Sequence, residues 1–199
     1  MTTFIKIILL ISISFSSFTF SADSKGKFAV KGAGSHTCSD FIQAAETKST
    51  DYYLYGGWLE GFISSYNQFQ PNNFDITPWQ TTELMLVLLK RHCKKNTDLR
   101  FLSATNSLIK TLFPIRLNTE NNLVTIQVSG GKSYYYQEII MRAKKRLKVL
   151  GYLKGELKPT FDQADAIAFA TYQKAIGINP SGIPDQQTLV SLFLKSVKQ

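Results

Sequence analysis

The part of the sequence that most restricts the fold is the stretch from Ile140 to Leu192 near the C-terminus. Its apolar residues recur at helical intervals, and two of the segments that they mark end at Gly151 and Gly177. Glycine is suited to these ends because it tolerates the left-handed conformation of a C-terminal helix cap. Asp185 precedes the last segment and can cap its first turn. The pattern predicts three short helices joined by tight turns.

Motifs in this stretch follow the order of a known family. They read LGY at 150–152, then YQ at 172–173, then SGIPD at 181–185. This order is similar to that of the three-helix peptidoglycan-binding domain of bacterial wall hydrolases and envelope proteins. The family's usual Asp-Gly-x-Phe-Gly loop is replaced here by GELKPTFD at 155–162, which keeps the aromatic residue and lacks the glycines of that motif. The resemblance implies a wall-binding module at residues 133–199, and the alternative is a module that only packs or docks on protein.

The resemblance also implies a binding surface. Recognition of sugar or peptide needs a shallow cleft with an aromatic wall and a few directed hydrogen-bonding groups. By position, the residues that would form the cleft are Tyr152, Phe161, Ser181 and Gly182. Tyr172 and Gln173 would support it from the core.

The N-terminal segment predicts export. Lys6 precedes an apolar stretch that continues to Phe20, and Ser21-Ala22 supplies the small residues that a signal peptidase needs. The stretch is short and interrupted by serines, and no cysteine follows it to take lipid, which argues against a membrane anchor. We therefore expect a signal peptide at 1–22 that is cleaved near Ala22, and a periplasmic chain with no membrane span after cleavage.

Basic residues give the chain a formal net charge of +9, concentrated at 91–95 and 142–148. A basic surface suits anionic partners. Outside the cytoplasm these are wall polymers, lipid head groups or acidic proteins, and we expect no nucleic acid partner. The alternative for each cluster is a solvated helix face.

The chain contains two cysteines, Cys38 and Cys93. In an oxidising compartment only one intramolecular pairing is available to them, so we expect a disulfide. The alternative is a zinc site, because His36 and His92 flank the cysteines and complete a set of four residues, two histidines and two thiols, that can bind zinc. The wide spacing of the cysteines and the ready oxidation of a periplasmic thiol pair favour the disulfide.

The sequence pattern of residues 23–114 predicts a domain of four helices. The first begins at Thr37, whose spacing to Asp40 is that of a capping box, and the second begins at Thr50 or Asp51. The third is expected to begin at Thr77, because a threonine cap is followed there by proline and, two residues later, by glutamine. The fourth carries Phe101. The disulfide would then join the start of the first helix to the end of the third.

Three glycines, Gly56, Gly57 and Gly61, lie within the second predicted helix. Glycine lowers helix propensity, so their presence predicts that another backbone packs closely against this helix.

The helical domain resembles a group of small, disulfide-linked envelope proteins. The resemblance rests on HTCSDF at 36–41, on YGGWLEGF at 55–62, and on a TP dipeptide before a helix that ends at Cys93. The group includes HdeA-type acid-stress chaperones and Tai-type immunity proteins. The resemblance implies a fold more than an activity.

A connector at 115–132 separates the helical domain from the module. The alternation at 123–128 predicts one extended strand. The run Tyr134-Tyr135-Tyr136 either packs the connector onto the module or offers an aromatic surface for sugars. The expected fold is mainly α: a disulfide-linked four-helix domain, a short extended connector and a three-helix module.

The sequence shows no common catalytic motif, neither Gly-x-Ser-x-Gly, nor His-Glu-x-x-His, nor a phosphate-binding loop. Glu60 and Glu83 are expected to be solvated on helix surfaces. We therefore expect a non-catalytic protein without cofactor or metal, which binds peptidoglycan through the module and an envelope protein or effector through the helical domain. The alternatives are an acid-stress chaperone and an accessory or hydrolytic factor in wall remodelling.

Overall fold

The computed structural model describes residues 22–128 and 131–195, so the predicted signal peptide lies almost entirely outside the described residues. The described chain is mainly helical, which confirms the expected fold class. Its elements, in chain order, are a 3-10 turn at Gly32–Ser35, α1 Cys38–Thr47, α2 Thr50–Phe69, α3 Thr82–Cys93, α4 Phe101–Leu112, a 3-10 turn at Phe113–Ile115, β1 Leu123–Val128, β2 Gly131–Tyr136, α5 Gln137–Val149, α6 Gln163–Ala175, α7 Gln186–Val190 and a π-helical turn at Ser191–Lys195.

The described chain divides into two units, with the boundary between Val30 and Lys31. In the described part of the first unit, one carboxylate organises a turn: Oδ1 of Asp23 accepts hydrogen bonds from the backbone N–H groups of Lys25 and Lys27, at 2.9 and 2.7 Å. All the helices and strands of the described residues belong to the second unit.

The predicted start of α1 is confirmed. Thr37 and Asp40 form a capping box, in which each side chain accepts a hydrogen bond from the other residue's backbone N–H. The predicted disulfide is also present. It joins Cys38, the first residue of α1, to Cys93, the last residue of α3, and both residues are fully buried.

Three aromatic rings lie at the centre of the first core, which α1 to α4 enclose. The centroids of Phe41, Tyr55 and Phe101 lie 4.7 to 5.0 Å apart in pairs. Tilted and edge-on contacts at such distances are favourable for aromatic pairs. Leu59, Met85 and other buried apolar residues complete this core.

The predicted start of α3 at Thr77 is wrong. The helix begins at Thr82, and the Thr81 hydroxyl caps it by accepting a hydrogen bond from the backbone N–H of Leu84 at 3.3 Å. The backbone N–H of Thr77 instead donates to Asp75 at 2.9 Å, and the backbone of Asp75 pairs with Leu117. These contacts hold the segment before α3 in a series of bends, which overrides its local helix signal.

The prediction of close packing against the glycines of α2 is also wrong. A Cβ atom added at Gly57 or Gly61 would have no heavy atom within 4 Å apart from its chain neighbours and the backbone of its own helix, and one added at Gly56 would make only ordinary contacts. The tight position is Gly34, where an added Cβ would lie 2.0 Å from Cζ2 of Trp58. The indole thus packs directly on the backbone of the first 3-10 turn.

The predicted strand at 123–128 is confirmed as β1, which pairs with β2 in an antiparallel register that sets Leu123 opposite Tyr136. Tyr135 and Tyr136 pack against the second core, whereas Tyr134 is 60% exposed. Ser129 and Gly130, which lie between β1 and β2 in the sequence, are outside the described residues.

The second core combines α5, α6 and α7 with residues that precede β1 in the chain. Buried Trp79 and Leu117 belong to it, with Phe74 and Leu84 packed against it. The Trp79 ring contacts Phe193 edge-on, at 5.2 Å between centroids. The backbone N–H of Thr81 donates to Oε1 of Gln186 at 2.7 Å. This bond also joins the segment before α3 to α7. The division into domains at 23–114 and 133–199 stays a prediction.

Candidate functional site

The helix ends of the C-terminal module are those that the sequence predicts. Gly151 and Gly177 follow α5 and α6 with φ angles of +82° and +74°, in the left-handed region that glycine favours. The carboxylate of Asp185 accepts a hydrogen bond from the backbone N–H of Thr188 at 2.8 Å and caps α7.

Gln173 holds the turn between α6 and α7. Its side chain is fully buried. The Nε2 atom donates to the carbonyl of Ile183 at 2.7 Å and to Oγ1 of Thr188 at 2.8 Å, and Oε1 accepts from the backbone N–H of Gly182 at 2.8 Å. Because its amide is used within the fold, Gln173 supports the turn from the core.

Gly182 lies in direct contact with α6. Its φ of +72° disfavours other residues, and a Cβ at this position would lie 2.9 Å from the carbonyl oxygen of Ala166. The absence of a side chain lets the turn lie flat on the helix.

An open cleft is formed where this turn, α6 and β1 meet. It has a volume of about 570 Å³. Amide and hydroxyl side chains line it together with small and aliphatic ones. The lining residues are Gln127, Gln163, Ala166, Ile167, Ala170, Ser181 and Gly182. Such a mixture provides hydrogen-bonding groups beside an apolar surface.

The structure therefore brings together two of the four predicted cleft residues, Ser181 and Gly182. Tyr152 and Phe161 do not line the cleft. The ring of Tyr152 packs edge-on against Tyr172, at 5.3 Å between centroids, and Phe161 packs on Phe169 at 5.7 Å. Both rings are part of the packing around the second core.

Five of the lining residues were missed by sequence reasoning, namely Ala166, Ala170 and the three described next. Ile167 carries a signal, because it is an apolar residue on the exposed face of a helix, and it is 58% exposed. Gln163 is the first residue of α6. Gln127 comes from β1, and only the tertiary structure brings it to the module.

One member of the basic run at 142–148 is internal. Lys144 is 2% exposed. Its ammonium group donates to Oδ2 of Asp165 at 2.7 Å and to the carbonyls of Lys158 and Thr160, both at 2.9 Å. The loop that lacks the family's glycines is thus anchored by a buried cation.

Three other members of the run donate hydrogen bonds within the fold. Arg142 binds Glu138 and the carbonyl of Ile115. Arg146 donates to the carbonyl of Leu192 at 3.3 Å, and Lys148 to that of Gly155 at 2.6 Å. Four of the five basic residues at 142–148 thus donate hydrogen bonds within the fold. Lys145 is the remaining one, and its side chain is exposed.

Titratable groups of the helical region link its elements. As expected, Glu60 and Glu83 are exposed on helix surfaces. Each also accepts a hydrogen bond between α2 and α3, from Thr82 at 2.6 Å and from Tyr52 at 2.9 Å respectively. Burial, reinforced by Glu83, raises the pKa of Tyr52 to about 12. His36 lies 3.2 Å from the Tyr55 hydroxyl.

Two searches of the described residues gave negative results. Within 22–128 and 131–195, no group of three or more His, Cys, Asp or Glu side chains could hold a metal ion. In the same ranges, no helix combines the length and apolar character needed to cross a membrane.

The capped helices, the buried glutamine and the adjoining cleft define a small three-helix module. Residues 137–192 match the protein-family model described as "Putative peptidoglycan binding domain". This match confirms the C-terminal resemblance and supports peptidoglycan as a partner. Together with the disulfide, it suggests a location outside the cytoplasm.

The comparisons with curated proteins and with solved structures each gave no match. Nothing in them supports the resemblance of the helical domain to HdeA-type or Tai-type proteins, which stays a prediction.

Proposed function

We propose that this chain is an exported, periplasmic protein that binds peptidoglycan through the cleft between α6, β1 and the turn at Ser181-Gly182. The family match carries the proposal, because its residues, 137–192, include most of those that line the cleft. The apolar N-terminal stretch with its cleavage signal near Ala22 supports export.

The chemistry of the cleft suits wall fragments, which present hydroxyl and amide groups on a partly apolar body. Ser181 Oγ accepts a hydrogen bond from the backbone N–H of Ile183 at 3.2 Å, which leaves its own proton for a ligand acceptor. The exposed amide of Gln163 can donate and accept, and Ile167 provides apolar contact. Tyr152, Phe161, Tyr172 and Gln173 would hold this surface in place.

Co-sedimentation of the full mature chain with purified peptidoglycan tests the proposal. We expect saturable binding, weakened about threefold to tenfold by Gln163→Ala or Ile167→Ala, since each removes one contact of modest energy. Gln187→Ala, which removes an exposed glutamine of the module outside this cleft, is the matched control.

Ionic strength separates specific recognition from charge attraction. If binding disappears at moderate salt and both cleft variants bind as the wild type does, exposed lysines are attracting an anionic polymer and the cleft proposal is wrong.

We further propose that the helical region acts by binding a protein and not by catalysis. Its candidate groups His36, Glu60 and Glu83 each take part in a hydrogen bond with another side chain of the same region. Incubation of the mature chain with wall fragments should give no new products. Cleavage that is lost in His36→Ala would contradict this proposal.

A further inference from the structure

Two cavities on the helical region join into one groove between α1 and the first half of α2. One has a volume of about 530 Å³, and polar residues such as Gln43 and Thr47 line it. The other has a volume of about 270 Å³. His36, Asp51 and Tyr55 line both cavities, so the two adjoin along these residues.

The polar end of the groove is anionic. Asp40 and Asp51 line it, and neither cavity has a lysine or arginine among its described lining residues. This contrasts with the formal charge of +9 on the whole chain. The hydroxyl and backbone N–H of Thr37 donate to Asp40 at 2.7 and 2.9 Å, and these bonds hold the pKa of its carboxyl below the usual value. The carboxylate charge is therefore retained in mildly acid solution.

The other end of the groove is apolar and preformed. Ala33, Leu54 and Trp58 line it. The indole N–H of Trp58 donates to the carbonyl of Lys31 at 2.8 Å, and its ring stacks on Phe62. Leu54 is 62% exposed, so a leucine beside a rigid indole faces solvent here.

We propose that this groove binds a segment of a protein partner that presents a lysine or arginine beside an apolar side chain. The cation would lie between Asp40 and Asp51, and the apolar side chain would contact Leu54 and Trp58. Charge complementarity selects this partner, because an anionic wall polymer is disfavoured at the two carboxylates. The inference rests on the proposed function only in taking the partner to be a protein.

Amide NMR of the full mature chain tests the groove with a defined probe, the acetylated and amidated peptide Gly-Gly-Leu-Lys-Gly-Gly. We expect saturable shifts at Ala33, Asp51 and Leu54, and none when the peptide's lysine is replaced by glutamate. Asp51→Asn should weaken binding about threefold, the scale of one exposed ion pair. Leu54→Ala should weaken it about threefold through lost apolar contact. Glu120→Gln, an exposed carboxylate outside the groove, is the control.

The groove proposal is wrong if the glutamate peptide binds as tightly as the lysine peptide, if the shifts lie elsewhere, or if no saturable shift occurs at millimolar peptide. Peptidoglycan co-sedimentation of the same variants separates the two proposals. Wall binding that persists without peptide binding contradicts the groove alone. Peptide binding without wall binding contradicts the wall function alone.

Discussion

The ammonium nitrogen of Lys144 lies 2.7 Å from Oδ2 of Asp165, and both side chains are almost completely buried. Two backbone carbonyls accept the remaining ammonium protons. Asp165 also accepts from the backbone N–H of Asp162 at 3.0 Å, so the pair joins α5, the following loop and the start of α6. A buried ion pair is tolerated when its hydrogen bonds are satisfied in this way.

Lys144→Met should destabilise the fold by about 3–5 kcal/mol, because it leaves the Asp165 carboxylate buried without its cation. Urea denaturation of the mature chain measures the change. Lys145→Met, on an exposed neighbour, is the control and should have little effect. A Lys144→Met variant as stable as the wild type would show that the pair contributes no net stability.

Removal of the disulfide should also destabilise the fold. The Cys38–Cys93 bond closes a loop with a sequence separation of 55 residues. On the chain-entropy model, a loop of this size is worth about 4 kcal/mol. The double variant Cys38→Ser/Cys93→Ser, compared with the wild type in urea, gives the value. A loss much below this would indicate that the unfolded chain is already compact.

Trp79→Ala should destabilise the second core by about 3 kcal/mol, because it removes a large buried ring. Thermal unfolding measures the effect, with Val87→Ala, 49% exposed, as the control. The fragment 133–199 lacks Trp79 and Leu117, and we expect it to be less stable than the same residues in the full chain. Equal stability of fragment and chain would show that these contacts are dispensable.

Two glycine substitutions should have opposite effects. Gly34→Ala places a methyl group against Trp58 and should destabilise the fold, with a change in tryptophan fluorescence as the indole is displaced. Gly57→Ala adds a methyl group in open space within α2 and should stabilise the fold by about 0.5–1 kcal/mol. Destabilisation by Gly57→Ala would point to a contact with another molecule at this position.

Stability should fall as the pH rises from about 10 to about 12. Burial raises the pKa of both Tyr52 and Tyr55 to about 12, with added effects of Glu83 and Asp40 respectively. In the unfolded chain these phenols ionise near pH 10, at about their usual pKa. Within this window the unfolded state therefore binds fewer protons, and alkali favours unfolding. Below pH 10 the contribution is complete.

Urea midpoints measured across the alkaline range test this dependence. Tyr52→Phe should flatten the decline because it removes one of the two phenols. A decline as steep as that of the wild type would show that Tyr52 does not contribute to it.

Local signals predicted much of this fold. Thr37 and Asp40, Gly151 and Gly177, and the cap at Asp185 act within a few residues, and the structure confirms them. Two cysteines allow one pairing, so the disulfide could also be predicted.

Features that depend on distant partners could not be predicted. Thr77 carries a good helix-start signal, but the pairing of Asp75 with Leu117 overrides it. Lys144 lies in a charged run that is typical of a solvated face, yet its partner Asp165, 21 residues later, makes it internal. Gln127 reaches the cleft only through the strand pairing.

Trp79 lies in the second core, and α3, whose residues complete the first core, begins at Thr82. The chain segment between the two cores is thus only a few residues long, and the hydrogen bond from Thr81 to Gln186 holds it in place. If the C-terminal module is held on the wall as proposed, the short segment between the cores therefore also determines which way α1 and α2 face relative to that wall.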